Sequence, residues 1–312
     1  MDYIYQLQVV FNMTNMKRIQ LFTILSSLIV LSSCDEITNP YPNVLDDGST
    51  IIYDEGIDLD SLGLEQLVWE KHPGAPTTQR NLLIEEFTGI ACTACPDGSR
   101  ILVNLDTIYG DQVIPVSIHA GKFALPNPDT TKIYGIDLRT LPEGEIIKNA
   151  FNPDDAYPKG IVSRLTNLAE GKDKWRITID NHKNDPQTAI IDLDVWYAPN
   201  EEYIRVILDY EYLFNSSDLY DLQVYIIEDH IIGWQLDNGV VKSDYDHKYV
   251  MRRAINGAWG ATALPAVNGE LYHKEYVIKK NGRWVKDNLK VAVYLANRQT
   301  REIIQAHQVK LK

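Results

Sequence analysis

The chain has 312 residues, of which 43 are Asp or Glu and 30 are Lys or Arg, which gives a net charge of −13. This length fits two domains of ordinary size, and the 45% of hydrophobic residues is a globular composition. The acidic balance excludes the basic face that nucleic-acid binding requires, and three cysteines are too few for a disulfide-dense scaffold.

The N-terminal segment has the pattern of a secretory signal. Residues 19–31 are mostly apolar and follow Lys17 and Arg18. This run is too short to span a bilayer comfortably, but it suits the apolar region of a signal peptide behind a positive start. We therefore expect residues 1–33 to be a signal peptide, and Met16 is a second candidate for its start.

The residues that end this segment point to a lipid anchor. Leu31, Ser32, Ser33 and Cys34 resemble the bacterial lipobox, in which the cysteine is diacylated and becomes the mature N-terminus. We expect Cys34 to be lipidated and to attach the protein to a membrane without a spanning helix. A plain signal peptide that happens to end in cysteine is the alternative. Residues 34–79 are polar and rich in turn residues, which is typical of a tether.

A strand, a CxxC motif and a helix come next along the chain. Residues 82–87 form a short apolar run typical of a buried strand. Cys92 and Cys95 follow, and residues 99–108 carry apolar side chains at helical spacing. The two cysteines are therefore predicted to open a helix directly behind a strand.

This position suggests thiol chemistry. Unpaired N–H groups at a helix N-terminus favour a thiolate, so we expect the pKa of Cys92 to be lowered. Cys95 lies within disulfide reach, so Cys92 would attack and Cys95 would resolve. A zinc site would need further ligands at suitable spacing, and haem attachment would need a histidine where Pro96 stands. We expect no metal or cofactor, and a purely structural disulfide stays open as the alternative.

The segment EEFTGIACTACP at residues 85–96 carries a family resemblance. Strand, FTG, CxxCP and helix resemble the thioredoxin superfamily. The whole segment behind a lipobox is more similar to the outer-membrane-protein-28-related lipoproteins, over about residues 80–312. The resemblance implies an α/β thioredoxin-like domain at 80–185 and an all-β immunoglobulin-like sandwich at 186–312. It also implies anchorage at the outer membrane.

The thioredoxin resemblance assigns a proton-transfer residue. Thioredoxins carry a buried acid six residues before the first cysteine, and Glu86 stands there. A desolvated carboxyl group has a raised pKa and could pass a proton to or from Cys95 through water. A solvated strand residue is the alternative for Glu86. Glu85 points to the other face of the strand.

The same resemblance assigns a cis-proline opposite the disulfide. Tyr157 and Pro158 precede an apolar strand pattern, so we expect a cis bond there, and the competing candidate is Leu264–Pro265. Pro158 would belong to the catalytic set with Cys92, Cys95 and Glu86. Tyr157 would present its backbone to a substrate, together with Thr93 and Ala94 between the cysteines.

Two features depart from the thioredoxin pattern. Ala91 stands where thioredoxins have a tryptophan before the first cysteine. Residues near 123–149 look like an insertion rich in Pro, Asp and Gly, which makes them a candidate lid or partner-binding loop. His119, at the end of the predicted second strand, could approach the active edge, although local hydrogen bonding is the commoner role of such a histidine.

The C-terminal half alternates apolar and polar residues. Residues 172–182 fit a helix slightly better than a strand. Behind them, seven short strands separated by turn residues fit an immunoglobulin-like sandwich. These strands are predicted at residues 191–195, 203–214, 222–227, 247–254, 272–278, 289–295 and 302–311.

Two functions follow from these patterns. The first is an outer-membrane-anchored lipoprotein that exchanges disulfides with extracytoplasmic protein thiols or disulfides. The alternative is a non-enzymatic surface lipoprotein, an adhesin or assembly subunit, with a structural Cys92–Cys95 disulfide. Exposure of the Cys92 sulfur beside a groove would favour the first function, and its burial would favour the second. The sequence leaves the oligomeric state and the substrate undetermined.

Overall fold

The computed structural model describes residues 51–53, 79–126, 136–197 and 202–311. These residues all fall within one compact unit, Asn43–Lys312. The expected signal peptide, Cys34 and most of the expected tether lie outside the described residues. None of the helices in the described ranges has the length and apolar character of a membrane span.

Strands dominate the described ranges. The strands are β1 Ile51–Tyr53, β2 Leu82–Thr88, β3 Val113–His119, β4 Lys159–Val162, β5 Glu170–Gly171, β6 Ala189–Tyr197, β7 Tyr203–Tyr212, β8 Tyr220–Glu228, β9 Ile231–Asp237, β10 Val240–His247, β11 Val250–Ala254, β12 Ala261–Thr262, β13 Leu271–Lys279, β14 Leu289–Asn297 and β15 Ile303–Lys310. The helices are α1 Cys95–Tyr109, α2 Glu143–Phe151 and α3 Lys172–His182.

Nine of the described strands form one mixed sheet. Its order is β15-β14-β8-β11-β3-β2-β4-β5, and β12 adds to β8. β2 and β3 run parallel, β4 is antiparallel to β2, and β11 joins β3 through the pair Val250 and Ser117. The sheet therefore includes strands from both sides of the division that we expect near residue 185.

A second sheet covers part of the first. It has the order β1-β13-β7-β6. β8 is buried along its whole length because its two faces contribute to different cores. Tyr225 and Ile227 pack with β2, β3 and α1, whereas Leu222, Val224 and Ile226 pack with the second sheet. This alternation buries β8 on both faces.

A buried polar network joins the two halves of the chain. Arg164, directly behind β4, donates from Nε and Nη2 to the two carboxylate oxygens of Glu85, both at 2.7 Å. Its Nη2 also donates to the hydroxyl of Tyr294 at 2.9 Å, and Tyr225 donates to Glu85 Oε1 at 3.0 Å. A bidentate Arg–carboxylate pair is among the stronger hydrogen-bonded pairs in proteins. Together with Tyr225 and Tyr294, the Arg164–Glu85 pair links β2 to β8 and β14.

The fold is mostly β with mixed sheets, and the predicted strands of the C-terminal half fit its all-β part. The helix predicted at 172–182 is α3. Three features depart from expectation. β1 lies inside the expected tether and pairs parallel with β13. α2 begins inside the expected insertion and ends just beyond it, and β9 and β10 form a hairpin ahead of the strand that is predicted to start at His247.

The start of α1 corrects the expectation for the CxxC. The helix begins at Cys95, and its N-cap is Ala94. The Cys92 carbonyl accepts the Cys95 N–H at 3.2 Å, which closes a turn before the helix. Cys92 is therefore outside the first helical turn, and the helix N-terminus acts directly on Cys95 instead.

Candidate functional site

Cys92 and Cys95 form a disulfide at the end of β2, with their Sγ atoms 2.11 Å apart. Gly89 makes the sharp exit from the strand. The Cys92 N–H donates to the Gly89 carbonyl. A Cβ on Gly89 would lie 2.4 Å from the Phe123 carbonyl carbon. Only glycine fits there, because the CxxC turn runs against the backbone at Phe123, whose carbonyl accepts the Ala91 N–H at 2.9 Å.

Glu86 lies on β2 and is fully buried. Ser117 on β3 donates its hydroxyl to Glu86 Oε2 at 3.0 Å, while Oε1 has no hydrogen-bond partner among the described residues. Burial raises the pKa of Glu86 to about 8, and the Ser117 hydrogen bond opposes this rise only partly. Glu86 is therefore a buried, desolvated carboxyl group and not the solvated strand residue of the alternative.

Glu86, Pro158 and α1 meet at one point. A Cβ on Gly98 would lie 2.5 Å from Glu86 Oε1 and 2.9 Å from Pro158 Cβ. Gly98 is three residues beyond Cys95, one helical turn along the same face. The carboxyl group thus lies against the first turns of the helix that carries Cys95.

The Tyr157–Pro158 bond is cis, as the thioredoxin resemblance predicts. Leu141–Pro142 is also cis, which is unpredicted. The Tyr157 hydroxyl donates to the Ala120 carbonyl at 2.8 Å, and its ring packs edge-on against Phe123. These contacts hold the Tyr157 side chain beside the CxxC turn.

The hairpin of β9 and β10, Ile231–His247, covers the CxxC turn, and we call it the covering hairpin. Leu236 N–H donates to the Ile90 carbonyl at 2.8 Å, and Asn238 N–H donates to the Thr93 carbonyl at 2.9 Å. Gly239 N–H donates to Thr93 Oγ1 at 2.7 Å. The covering hairpin therefore pairs with the backbone around the cysteines much as an added strand would.

The same hairpin contacts Cys92 itself. Gln235 Nε2 donates to the Cys92 carbonyl at 3.1 Å and to the Gly89 carbonyl at 3.3 Å. Cys92 is 4% exposed and Cys95 is 1% exposed, so the disulfide is closed off from solvent. Cys92 remains the more exposed of the two cysteines.

Charged contacts add to this cover. Asp237 at the end of β9 pairs with Lys242 at 2.5 Å and with Arg100 of α1 at 3.4 Å. These cations lower the pKa of Asp237, and the Lys242 hydrogen bond contributes most. The hairpin is thereby attached to α1 as well as to the CxxC turn.

Thr93 and Ala94 are placed differently from expectation. Thr93 is exposed, but its carbonyl and hydroxyl oxygens both accept hydrogen bonds from the covering hairpin. Ala94 is half-buried as the N-cap of α1. The hairpin therefore occupies the polar atoms of Thr93 that we expect a substrate to contact.

Two buried histidines lie at the edge of the site. His119 and His247 have ring centroids 5.6 Å apart. Burial lowers the pKa of His247 to about 4 and that of His119 well below its ordinary value. Both rings are therefore neutral near pH 7. The sequence places His247 at the start of a predicted strand and does not reveal the hairpin that it ends, although Asn238 and Gly239 are a residue pair typical of hairpin turns.

These features define a mostly β protein with mixed sheets and a buried CxxC disulfide under a hairpin. The family model for Outer membrane protein Omp28 matches residues 153–312, more than half of the chain, so the chain belongs to this family. Its predicted location at the outer membrane is confirmed. The matched range includes Pro158 and the covering hairpin but begins beyond the two cysteines.

Solved structures supply the remaining comparisons. HBP35 of Porphyromonas gingivalis is similar at a TM-score of 0.57 and 17% identity, covering 76% of this chain and 77% of that one. A domain of the outer membrane lipoprotein Omp28 from Porphyromonas gingivalis has 23% identity, a TM-score of 0.28 and coverage of 40% and 88%. The first likeness concerns the fold alone. No curated protein sequence matches the chain.

Proposed function

We propose that this protein is a lipid-anchored thiol–disulfide exchange protein of the outer membrane. Lipidation of Cys34 and a thioredoxin-like domain at residues 80–185 are parts of this proposal. The parallel pair β2 and β3, with β4 antiparallel beside β2, supports that domain assignment. The substrates would be extracytoplasmic proteins that carry thiols or disulfides.

The observation that carries the proposal is the placement of Glu86. Burying a carboxyl group with one unpaired oxygen costs free energy, and a structural disulfide needs no acid near it. A pKa of about 8 keeps the group mostly protonated at neutral pH and still able to ionise. A proton donor and acceptor beside α1 is what exchange at Cys95 requires.

The exchange step can be written with its atoms balanced. A substrate thiolate attacks Cys92 Sγ, the Cys92–Cys95 bond breaks, and Cys95 leaves as a thiolate. Glu86 supplies the proton to Cys95, through water. A second substrate thiolate then attacks the mixed disulfide, which leaves the substrate oxidised and both cysteines reduced. The reverse sequence reduces a substrate disulfide, with Cys92 as the attacking thiolate.

The covering hairpin sets the condition for this reaction. A substrate can reach Cys92 only when the hairpin withdraws, because it now bonds to Thr93 and to the Cys92 carbonyl. Withdrawal would free the Thr93 backbone and the surface next to Tyr157 and Pro158. An extended substrate segment could then pair where the hairpin now pairs.

The test is an insulin-reduction assay with the mature full-length chain and dithiothreitol. The wild-type protein should accelerate insulin reduction, and Cys92→Ser should abolish the acceleration. If the wild-type protein has no effect and dithiothreitol barely reduces its disulfide, exchange is refuted.

A second candidate function rests on the burial of Cys92 to 4% exposure under the hairpin, which is the arrangement that we expect of a structural disulfide. In this case the protein is a non-enzymatic surface lipoprotein, an adhesin or assembly subunit, and the disulfide only stabilises a turn. Closing so short a loop contributes about 2 kcal/mol in the chain-entropy model. Cys92→Ser would then lower stability by that order, while the insulin assay would give the same result for variant and wild type.

A further inference from the structure

The end of β9, residues 235–237, lies over the CxxC turn as an extended strand. The N–H groups of Leu236 and Asn238 donate to carbonyls of this turn at 2.8 and 2.9 Å, so alternate residues pair with it. Backbone pairing of this kind accepts any sequence, and the side chains beside it determine which sequence binds. Asp237 lies between the two paired positions, where a side chain can contribute such specificity.

The carboxylate of Asp237 connects the covering hairpin to α1. Its side chain is 5% exposed, and its two oxygens accept hydrogen bonds from Arg100 of α1 at 3.4 and 3.5 Å. Lys242 and Asn238 bind the same carboxylate from within the hairpin, at 2.5 and 3.1 Å. The contact with Arg100 therefore links the hairpin to the helix that carries Cys95.

Arg100 belongs to α1 and not to the hairpin, so it remains beside the disulfide when the hairpin withdraws. Its side chain is 52% exposed, and its other ion-pair partner is Asp97, which Lys172 also binds at 3.1 Å. The hydrogen bonds from Arg100 to Asp97 and to Asp237, in that order, are the largest causes of its raised pKa. Withdrawal removes Asp237 and leaves Arg100 and Lys172 to share Asp97. A carboxylate on an incoming chain can take the place of Asp237.

Gln235 gives the spacing between this position and the disulfide. Its Nε2 donates to the Cys92 carbonyl at 3.1 Å, so this position of the strand lies against Cys92. Gln235 and Asp237 are both buried on one face of β9, as residues two apart on a strand are. A substrate cysteine in place of Gln235 would therefore meet Cys92, and an acid two residues further on would meet Arg100.

We infer that the exchange substrates are extended protein segments in which an Asp or Glu follows the reacting cysteine by two residues, and that Arg100 selects them. The covering hairpin occupies the site as this chain's own version of such a segment, with Asp237 as its acid. This inference rests on the exchange function proposed for Cys92 and adds the substrate class to it.

Single-turnover kinetics with the reduced, mature full-length chain test the inference. The probes are two disulfide-linked peptide dimers that carry either Glu or Gln two residues behind the cysteine and are otherwise identical. The Cys92 thiolate attacks the peptide disulfide and releases one peptide thiolate; Cys95 then releases the second as the Cys92–Cys95 disulfide forms. Each rate of peptide release is divided by the rate of the same dimer with dithiothreitol, which removes differences in intrinsic reactivity.

We expect the Glu peptide to react about fivefold faster than the Gln peptide at low ionic strength, and 1 M salt to reduce this ratio. Arg100→Gln should bring the ratio to about 1, even if it loosens the hairpin, because a looser hairpin accelerates both peptides alike. Arg283→Gln, at an exposed turn behind β13, is the matched control and should keep the wild-type ratio.

Two results would overturn the inference and leave the exchange function standing. One is an equal rate for the two peptides with the wild-type chain. The other is a preference for the Glu peptide that Arg100→Gln leaves unchanged. Absence of reaction with either peptide would instead refute exchange at Cys92, and the inference with it.

Discussion

Burial changes the protonation of a single side chain, Glu86, at the centre of the candidate site. Its carboxyl group has Ser117 on one oxygen and no described hydrogen-bond partner on the other. Burial therefore favours the neutral form, and the pKa rises to about 8 from 4.5. A group with this pKa changes charge in the pH range where thiols also titrate.

The first prediction concerns stability. Between pH 4.5 and pH 8 the unfolded state releases the Glu86 proton and the folded state retains it, so stability falls as the pH rises. The loss approaches about 5 kcal/mol above pH 8. Glu86→Gln should therefore become increasingly more stable than the wild type from pH 5 to pH 8. Denaturant unfolding of both oxidised proteins at the two pH values measures this difference, and a pH-independent difference would contradict the raised pKa.

The second prediction concerns exchange. Glu86→Gln removes the proton donor and should slow insulin reduction at pH 7 by about 100-fold. Ser117→Ala is the matched variant, since it keeps the carboxyl group and removes the hydrogen bond that lowers its pKa. It should retain activity and shift the pH profile upward. Equal rates in Glu86→Gln and wild type would exclude a proton-transfer role for Glu86.

The thioredoxin resemblance makes part of this site predictable. It assigns Glu86 and Pro158 because thioredoxins carry an acid and a proline at matching positions relative to the CxxC and to the following strand. The engagement of Thr93 could not be assigned, since its hydrogen-bond partners at Asn238 and Gly239 lie far away in the sequence. Local patterns contain no information about such a pairing.

At the scale of elements, the covering hairpin determines access to the disulfide. Asn238 and Gly239 at its tip have φ angles of 50° and 81°, which suit a tight hairpin turn. The turn at Asn238 and Gly239 can therefore be recognised in the sequence. Strand β10 cannot, because its residues 240–244 are all exposed and lack a buried face. The docking of this hairpin on the CxxC turn depends on long-range contacts.

The third prediction concerns opening of the hairpin. Gln235→Ala removes the hydrogen bonds to the Gly89 and Cys92 carbonyls and should weaken the cover. We expect dithiothreitol to reduce the disulfide about tenfold faster, because the lost hydrogen bonds contribute on the order of 1 kcal/mol or more. Mass spectrometry after timed alkylation measures the rate.

The control for this prediction is Gln299→Ala, at an exposed turn behind β14. Dithiothreitol should reduce the disulfide of this control at the wild-type rate. If the disulfide of Gln235→Ala is also reduced at the wild-type rate, the covering hairpin does not limit access to Cys92.

At the scale of the whole molecule, the nine-stranded sheet crosses the division that we expect near residue 185. The sequence suggests two domains because alternating strands and helices are followed, beyond residue 185, by strands in which apolar and polar residues alternate. It could not reveal that β11 pairs with β3, or that Arg164 bonds to both Glu85 and Tyr294. Those contacts join residues that are distant in sequence.

The fourth prediction tests this connection. Residues 79–311 should unfold in one cooperative transition, detected identically by fluorescence and circular dichroism. Arg164→Met should lower the free energy of unfolding by about 3–5 kcal/mol, because it leaves Glu85 buried without its partner. Tyr294→Phe, which removes the hydroxyl that hydrogen-bonds to Arg164 and to Tyr225, should cost about 2 kcal/mol. Two separate transitions would favour independent domains on either side of residue 185.

The central claim is that Cys92 exchanges disulfides with other proteins. Trapping with Cys95→Ser tests it most directly, because without Cys95 a mixed disulfide on Cys92 cannot be resolved from within the chain. The Cys95→Ser variant would be expressed in its native host, isolated under denaturing conditions and compared with a Cys92→Ser, Cys95→Ser double variant. We expect the Cys95→Ser variant to carry disulfide-linked protein adducts. These adducts should be released on reduction and be absent from the double variant. Recovery of Cys95→Ser without such adducts, in the presence of a correctly folded chain, would contradict the account.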